Sequence, residues 1–330
     1  MSYCLVTGGA GFIGSHLVEA LLARGDRVAV IDDESTGRRE NLAAVLDHPR
    51  LHYTRGDVQD RALLAGRLAG VDEVYHLAAA VGVALVAHRP VHSIETNIRP
   101  TELLLEELLR EQQIRDGRGR PPARLFLAST SEVYGKNPKL TWNEADDLVL
   151  GATSRPRWAY GASKAIGEFT ALAYHREHGL PVVVGRLFNV IGPRQTGTYG
   201  MVVPRMVEAA LRGEPVIVHG DGRQQRTFAH VAEVVEATLR LMRCDAAAGQ
   251  VVNIGSDRPL TILDLARRVI DQIDPAVPIE FQSYAEAYGP DFEDCRCRLP
   301  ELNRLRGLIG FAPTRPLEEI IAEVVAERRG

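Results

Sequence analysis

The run Thr7-Gly8-Gly9-Ala10-Gly11-Phe12-Ile13-Gly14 constrains this chain more than any other stretch. It follows a short apolar segment, residues 3–7, that reads as a strand, and opens residues 12–24, which read as a helix. Phe12, Ile13, Leu17, Leu21 and Leu22 fall at helical spacing and give that helix one face for a sheet. Gly8 permits a tight turn, Gly11 a close approach of backbone to a bound group, and Gly14 close packing of helix on strand. The first N–H groups of such a helix have no internal partner, so a phosphate is favoured there. A glycine turn alone is weak evidence. Here a second strand at residues 27–31 ends in Asp32, the acid that a dinucleotide fingerprint requires about 20 residues on.

Asp32 is placed to accept the hydroxyls of an adenosine ribose and would repel a 2′-phosphate, so the expected cofactor is NAD rather than NADP. Arg38 and Arg39 follow closely and could accept that phosphate. Asp57 and Val58, after a third strand at 51–54, are expected at the adenine edge. Leu77, Ala78 and Ala79, after a fourth at 73–76, should line the cofactor near its ribose, and His76 reads equally as packing or contact.

Further strands at 124–128 and 182–187 alternate with helices at 94–113 and 160–178. Strands alternating with helices imply right-handed crossovers, so the expected fold is α/β, a Rossmann-type doubly wound parallel sheet. From about Asn189 the texture shifts to Gly, Pro and Arg, with helices at 203–212, 262–273 and 317–328. The division expected is a NAD-binding domain over 1–188, to which part of 215–255 returns, and a smaller C-terminal α/β substrate-binding lobe over 189–330.

Bulk properties exclude several classes. The 39 basic and 43 acidic residues leave a net charge of −4, without the basic excess of a nucleic-acid or membrane-surface protein. The N-terminal residues run straight into a strand with no signal-peptide pattern, and no apolar run reaches the roughly 18 residues of a membrane span. The expectation is a soluble, cytoplasmic protein. Cys4, Cys244, Cys295 and Cys297 are too few and scattered for a disulfide framework, and no His or Cys cluster completes a metal site with the last two.

The chemistry centres on Tyr160-Gly-Ala-Ser-Lys164, which puts a phenol and an ammonium on one helix face. The ammonium is expected to lower the phenol's pKa, making tyrosinate a usable base near neutrality, and Lys164 could also hold the nicotinamide ribose. The hydroxyl of Thr130, in the Ser129-Thr130-Ser131 cluster ending a strand, would share a substrate oxygen with Tyr160.

With these residues in view, the chain resembles the extended short-chain dehydrogenase/reductase family over essentially its full length. Within it, the resemblance is to the NAD-dependent nucleotide-sugar epimerases, dehydratases and decarboxylases. The strings TGGAGFIG, HLAA, STSEVYG, YGASK, RLFNVIGPRQ and GDGRQQRTF carry it. The resemblance implies a nucleoside diphosphate sugar, UDP-linked, whose C4 hydroxyl lies between Tyr160 and Thr130 and whose C4 hydride passes to NAD. It puts Asn189 on the substrate diphosphate, Arg226 as its clamp, and Val203, Pro204 and Arg205 at the helix over the base. His219 stands where relatives commonly have Tyr.

The residues beside Thr130 bear on the reaction. Dehydratases of this class resemble one another in an Asp-Glu pair, where this chain has Ser131-Glu132. STSEVYG is similar to UDP-glucuronate decarboxylases of the UDP-xylose synthase type, as is the Arg155-Pro-Arg-Trp158 string before Tyr160. The stretch from Tyr288 to Asp294, leading to Arg298-Leu-Pro300, resembles a segment whose Arg reaches the reacting sugar, which assigns Arg298 that role. The reading is decarboxylation of UDP-glucuronate to UDP-xylose or its 4-keto precursor, with Thr130, Glu132, Tyr160, Lys164 and Arg298 catalytic. The alternatives are a 4-epimerase of UDP-glucose or UDP-glucuronate, a 4,6-dehydratase, and a non-enzymatic NAD sensor. Leu103, Leu104, Leu105, Leu108 and Leu109 exceed what one sheet-facing stripe needs, so a homodimer through a four-helix bundle is expected, as relatives resemble.

Overall fold

Six apolar runs in the first 190 residues become β1 (Tyr3–Thr7), β2 (Arg27–Asp32), β3 (Leu51–Arg55), β4 (Glu73–His76), β5 (Arg124–Thr130) and β6 (Val182–Leu187). The computed structural model describes residues 1–82, 89–197, 201–289 and 292–329. Beyond β6 come the short β7 (Val190–Ile191), β8 (Val216–His219), β9 (Gln225–Arg226) and β10 (Ala229–His230), and then β11 (Gln250–Ile254). β11 returns to the edge of β6, giving one seven-stranded sheet in the order β11-β6-β5-β4-β1-β2-β3. Every pairing in it is parallel. Most of its strands are covered on both faces, so they read as continuous apolar runs rather than alternations.

The helices that cover it are α1 (Phe12–Ala23), α2 (Arg61–Leu68), α3 (Pro90–Asp116), α4 (Ala159–His178) and, after α5 (Val202–Leu211) in the chain, α6 (Val231–Arg243). Leu17 and Leu21 of α1 and Val234, Val235 and Leu241 of α6 share a core with one face of the sheet. Leu64 and Leu68 of α2, Leu104, Leu105 and Leu108 of α3, and Ala171 of α4 fill the other. Those three α3 leucines are therefore spent within the protomer, and the apolar side chains left exposed on these helices are others. They are Val91 and Ile94 near the start of α3, Ile114 near its end, and Ile166 and Phe169 on α4. α5, β8, α7 (Ile262–Ile273) and α10 (Leu317–Arg329) build a third core around Val203, Val207, Val218, Leu265 and Val324. The short α8 (Tyr284–Tyr288) and α9 (Asn303–Ile309) complete the helices. β13 (Ile279–Gln282) pairs with β8, while β9 lies between β12 (Leu260–Thr261) and β14 (Cys297–Arg298). Among the described residues no helix is long and apolar enough to cross a membrane.

The turn between β1 and α1 is set by close packing. A Cβ added at Gly14 would lie 2.1 Å from the Gly8 carbonyl oxygen, and Gly8 itself has φ +71°. β1 pairs with β2 on one side and β4 on the other, so the chain reverses direction of winding at β1. A crevice opens beyond the carboxyl ends of the strands at such a switch point.

Candidate active site

That crevice is a continuous cavity of about 640 Å³. One end is lined by the glycine turn, Asp32, Asp57, Val58 and residues 77–79, the middle by Ser129–Glu132, Tyr160 and Lys164, the other end by Asn189, Val203, His219, Arg226 and Arg298. Of the substrate-side residues singled out in the sequence, Pro204 and Arg205 do not line it. Arg205 is exposed on α5, against Gly197, because the helix turns its Val203 and Met206 face inward.

At the first end, Gly11 caps α1 with no side-chain hydrogen bond, and no acidic residue stands in the first turn. The leading N–H groups are left for an anion. Asp32 accepts the Ala10 N–H and the Glu34 N–H, both at 2.8 Å, one on each oxygen. Each oxygen keeps a lone pair for a further donor. Burial nonetheless raises its pKa above the usual carboxylate value. An uncapped helix start beside a carboxylate fits the diphosphate and ribose of a dinucleotide. His76 does not line the cavity. Its Nδ1 lies 2.8 Å from the Thr7 hydroxyl and its Nε2 3.2 Å from that of Thr101, which itself donates to the Asn97 carbonyl. Nε2 therefore carries the proton and Nδ1 accepts from Thr7. Burial, then the Lys164 charge, holds this ring neutral with its pKa down to about 3. His76 is a peg between β1, β4 and α3.

In the middle, β5 ends in Thr130, which starts a 3-10 turn over Ser131–Tyr134 and accepts the Glu132 N–H at 3.2 Å. The first turn of α4 lies directly on that turn: a Cβ at Gly161 would sit 2.5 Å from the Glu132 carbonyl oxygen. The contact brings the Tyr160 phenol toward the Thr130 hydroxyl, whose influence on the phenol's pKa is a lowering one. The phenol's pKa is raised, by burial first and by the Glu132 charge second, against the opposing pull of Thr130, Arg157 and Arg298. This corrects the expected lowering by Lys164. The lysine sits one turn on, and burial pushes its own pKa down to about 8.

Glu132 is the centre of a charged cluster. Arg157 pairs with its Oε2 and Arg298 with its Oε1, the latter at 3.1 Å. The two guanidinium groups hold its pKa near 2 although burial alone would raise it. Arg226 pairs with Asp294 at 2.8 Å, and Asp294 lies 3.7 Å from Arg298 and 3.9 Å from Arg157. Three cations thus meet two carboxylates, leaving one positive charge in excess. The two ends of this cluster are assembled by backbone pairing. β14 lies parallel to β9 with Arg298 beside Arg226, and the Trp142 N–H donates to the Leu299 carbonyl at 2.8 Å. The terminal nitrogens of Arg226 donate to Asp294, Cys295, Gln225 and Arg296, so this arginine fastens the 294–296 segment. Asn189 donates to the Thr227 carbonyl at 2.9 Å.

Sequence reasoning left Arg157 and Asp294 as parts of motifs without roles of their own and did not see the aromatic group that forms around His219. Tyr288 meets the His219 ring edge-on at 5.2 Å and stacks on Phe292 at 4.5 Å, and Tyr284 stacks on Phe292 at 5.5 Å. The one available signal was the aromatic spacing within 284–292. Pro290 and Asp291 of that stretch lie outside the described residues.

A crevice at a parallel-sheet switch point, with a glycine turn at one end and a Thr–Tyr–Lys set at its centre, defines an α/β dinucleotide-dependent enzyme. The chain belongs to the NAD dependent epimerase/dehydratase family, whose profile matches residues 4–255. It is 34% identical to a UDP-N-acetyl-alpha-D-glucosaminuronate decarboxylase of Bacillus cytotoxicus, over 98% of this chain and 96% of that one. It is 35% identical to UDP-glucuronic acid decarboxylase 4 of Arabidopsis thaliana, over 98% of this chain and 68% of that one. Among solved structures, it resembles a UDP-N-acetylglucosamine 4-epimerase of Methanobrevibacter ruminantium with a TM-score of 0.87 and 30% identity, covering 99% and 98% of the two chains.

Proposed function

We propose that this protein decarboxylates a UDP-linked uronate after oxidising it at C4, with UDP-glucuronate as substrate and UDP-xylose or its 4-keto precursor as product. The observation that carries this reading is the Glu132–Arg157–Arg298 cluster beside the Thr130–Tyr160 pair. An excess positive charge there suits a substrate that brings a carboxylate, and a neutral hexose would leave that charge uncompensated. The names of the two decarboxylase relatives support the same chemistry.

Tyr160, as the phenolate that the positive charge of bound NAD would favour, takes the proton of the C4 hydroxyl as the C4–H bond breaks, and Thr130 holds the oxygen between them. NAD, when bound, takes up and later returns that hydride and adds a positive charge near the phenol. Its diphosphate would lie at the start of α1, its adenosine ribose on Asp32, and its other ribose on Lys164. The oxidised sugar is a β-keto acid, so the C5–C6 bond can break with its electron pair passing to an enolate at C4. The Thr130 and Tyr160 hydroxyls stabilise that oxygen as charge develops. Carbon dioxide leaves, and C5 takes up a proton. Glu132, ionised far below neutral pH, has no proton to give, and the guanidinium groups hold theirs too tightly to release, so in this reading water supplies it. Arg298 faces the substrate carboxylate, and Arg226 holds the 294–298 segment in place, a different role from the diphosphate clamp first expected. His219 with Tyr284, Tyr288 and Phe292 forms the wall for the base.

The test is incubation with NAD and a panel of UDP-glucuronate, UDP-N-acetylglucosaminuronate, UDP-glucose and dTDP-glucose, followed by mass. A product lighter by carbon dioxide from a uronate is expected. Loss of water instead means dehydration, and unchanged mass with inverted C4 means epimerisation; either outcome overturns the reading. The assembly we propose is a homodimer. The exposed Val91, Ile94, Ile166 and Phe169 on the adjacent helices α3 and α4 support pairing as a four-helix bundle.

A further inference from the structure

Arg157 belongs to no part of the mechanism above, yet it is 7% exposed and shares Glu132 with Arg298. It enters the site from the 3-10 turn Pro156–Trp158, wedged between two aromatic faces, Trp158 at 5.6 Å and Phe292 at 5.9 Å. Its Nε and the Nε of Arg298 are both buried without a hydrogen-bond partner. Two guanidinium groups on one carboxylate are more than neutralising Glu132 requires, and a buried N–H left unpaired is costly. The arrangement is that of a group waiting for a second anion.

We propose that Arg157 is a positioning residue that retains Glu132 by one oxygen, so that Arg298 can leave the other oxygen for the carboxylate of the substrate. This rests on the uronate reading above and says how that site admits its ligand. Before binding, Glu132 occupies Arg298 in the way a substrate carboxylate would. On binding, the incoming carboxylate exchanges for Glu132 on Arg298. Arg157, which keeps its Glu132 contact throughout, prevents the displaced side chain from becoming an unpaired buried charge. The excess positive charge counted in the cluster is what the second carboxylate neutralises. Glu132, still ionised next to the departing carboxylate, favours its loss as neutral carbon dioxide. No bond is made or broken in the exchange itself.

The charged and titratable groups that face Glu132 are Arg157, Arg298, Asp294, Cys295 and Tyr160. Of these, only the two arginines hold its carboxyl down, so removing Arg157 leaves burial opposed by Arg298 alone. The side-chain pKa must then move up.

The test compares wild type, Arg157→Met, Arg157→Lys, Glu132→Gln and the double variant Arg157→Met/Glu132→Gln. Carbon dioxide release and the absorbance of reduced nicotinamide are followed with UDP-glucuronate between about pH 5 and 9. In Arg157→Met we expect carbon dioxide release to fall on the order of 10²-fold at neutral pH. An acid limb absent from wild type should appear, while reduced nicotinamide still forms. Arg157→Lys, which restores one cation without the planar fork, should recover part of the rate and remove most of the acid limb. The double variant should be no slower than Glu132→Gln, since a residue that acts through Glu132 has nothing to add once its charge is gone. Multiplicative losses in the double variant, or a wild-type pH profile in Arg157→Met, would overturn the proposal. If both Met variants fold poorly, the Lys variant decides: a partial loss of rate supports the proposal, whereas an unchanged rate and profile, or a rate as low as that of Glu132→Gln, sinks it. Wild type that releases no carbon dioxide from any uronate refutes the uronate reading itself, a result separable from all of these.

Discussion

Tyr160 and Lys164 are placed one helical turn apart, and the structure gives them opposite problems. The phenol is held protonated by burial and by Glu132, while the ammonium is held partly destabilised by burial. Tyr160→Phe should lower turnover on the order of 10²-fold or more while the purified protein keeps its cofactor, read from product formation and from the nucleotide released on denaturation. Lys164 carries a stability cost whose pH dependence can be stated. Its folded pKa is about 8 against an ordinary 10.5. Below pH 8 both folded and unfolded states are protonated and the burial cost is fully present. Between the two values the folded state loses its proton first, so stability rises with pH across that window. Lys164→Met should therefore be inactive yet more stable than wild type at pH 7, by about 1–3 kcal/mol, and should lack the rise. Urea unfolding at pH 7 and pH 10 measures both, and a less stable variant at pH 7 would contradict the burial argument. Both residues were legible in the sequence because their relation is local, fixed by helical period. The sign of the Tyr160 shift was not, because it depends first on burial and then on Glu132, which approaches from the Ser131–Tyr134 turn after β5. Arg298 meets Glu132 across 166 positions of chain. No spacing rule reaches that far, and only the resemblance drew the two together.

At the scale of elements, the six strands through β6 could be read almost to the residue, since a strand buried on both faces announces itself as an apolar run. Several elements escaped, among them α2, β8, α6 and β11. The helix α6 lacks an ordinary start signal: its cap is His230, whose ring accepts the Ala232 N–H at 3.2 Å. The strand β11 is a short run between Gly249 and Gly255 that nothing local assigns to β6. The contact most consequential for the site is equally silent in sequence, the seating of the first turn of α4 on the Ser131–Tyr134 turn through Gly161. Gly161→Ala should drive that turn away from the Tyr160 phenol, because the added carbon would meet a backbone oxygen that cannot rotate aside. The cost in stability should be about 1–3 kcal/mol. Turnover should fall by roughly 10²-fold, more than the stability change accounts for, because the pair that shares the substrate oxygen is misplaced. Thermal unfolding alongside initial rates would check this, and full activity in the variant would show that the turn relaxes without cost.

For the whole molecule, assembly is the open consequence of the exposed side chains on α3 and α4. Phe169, 65% exposed, stands among them. Phe169→Glu should convert the proposed dimer to a species of 36.2 kDa by light scattering at micromolar protein, with its helix content intact. Wild type already at that mass would remove the dimer. The order of strands in the sheet carries a different consequence, for the time when the chain is being made. β6 ends at Leu187, but the strand that covers its outer edge begins only at Gln250. While the ribosome adds the intervening residues, the nascent sheet presents a row of unsatisfied backbone groups to its surroundings. The helix α6, emerging just before β11, packs on the same face as α1 and delivers the missing strand, so the exposure ends when the chain has reached Ile254.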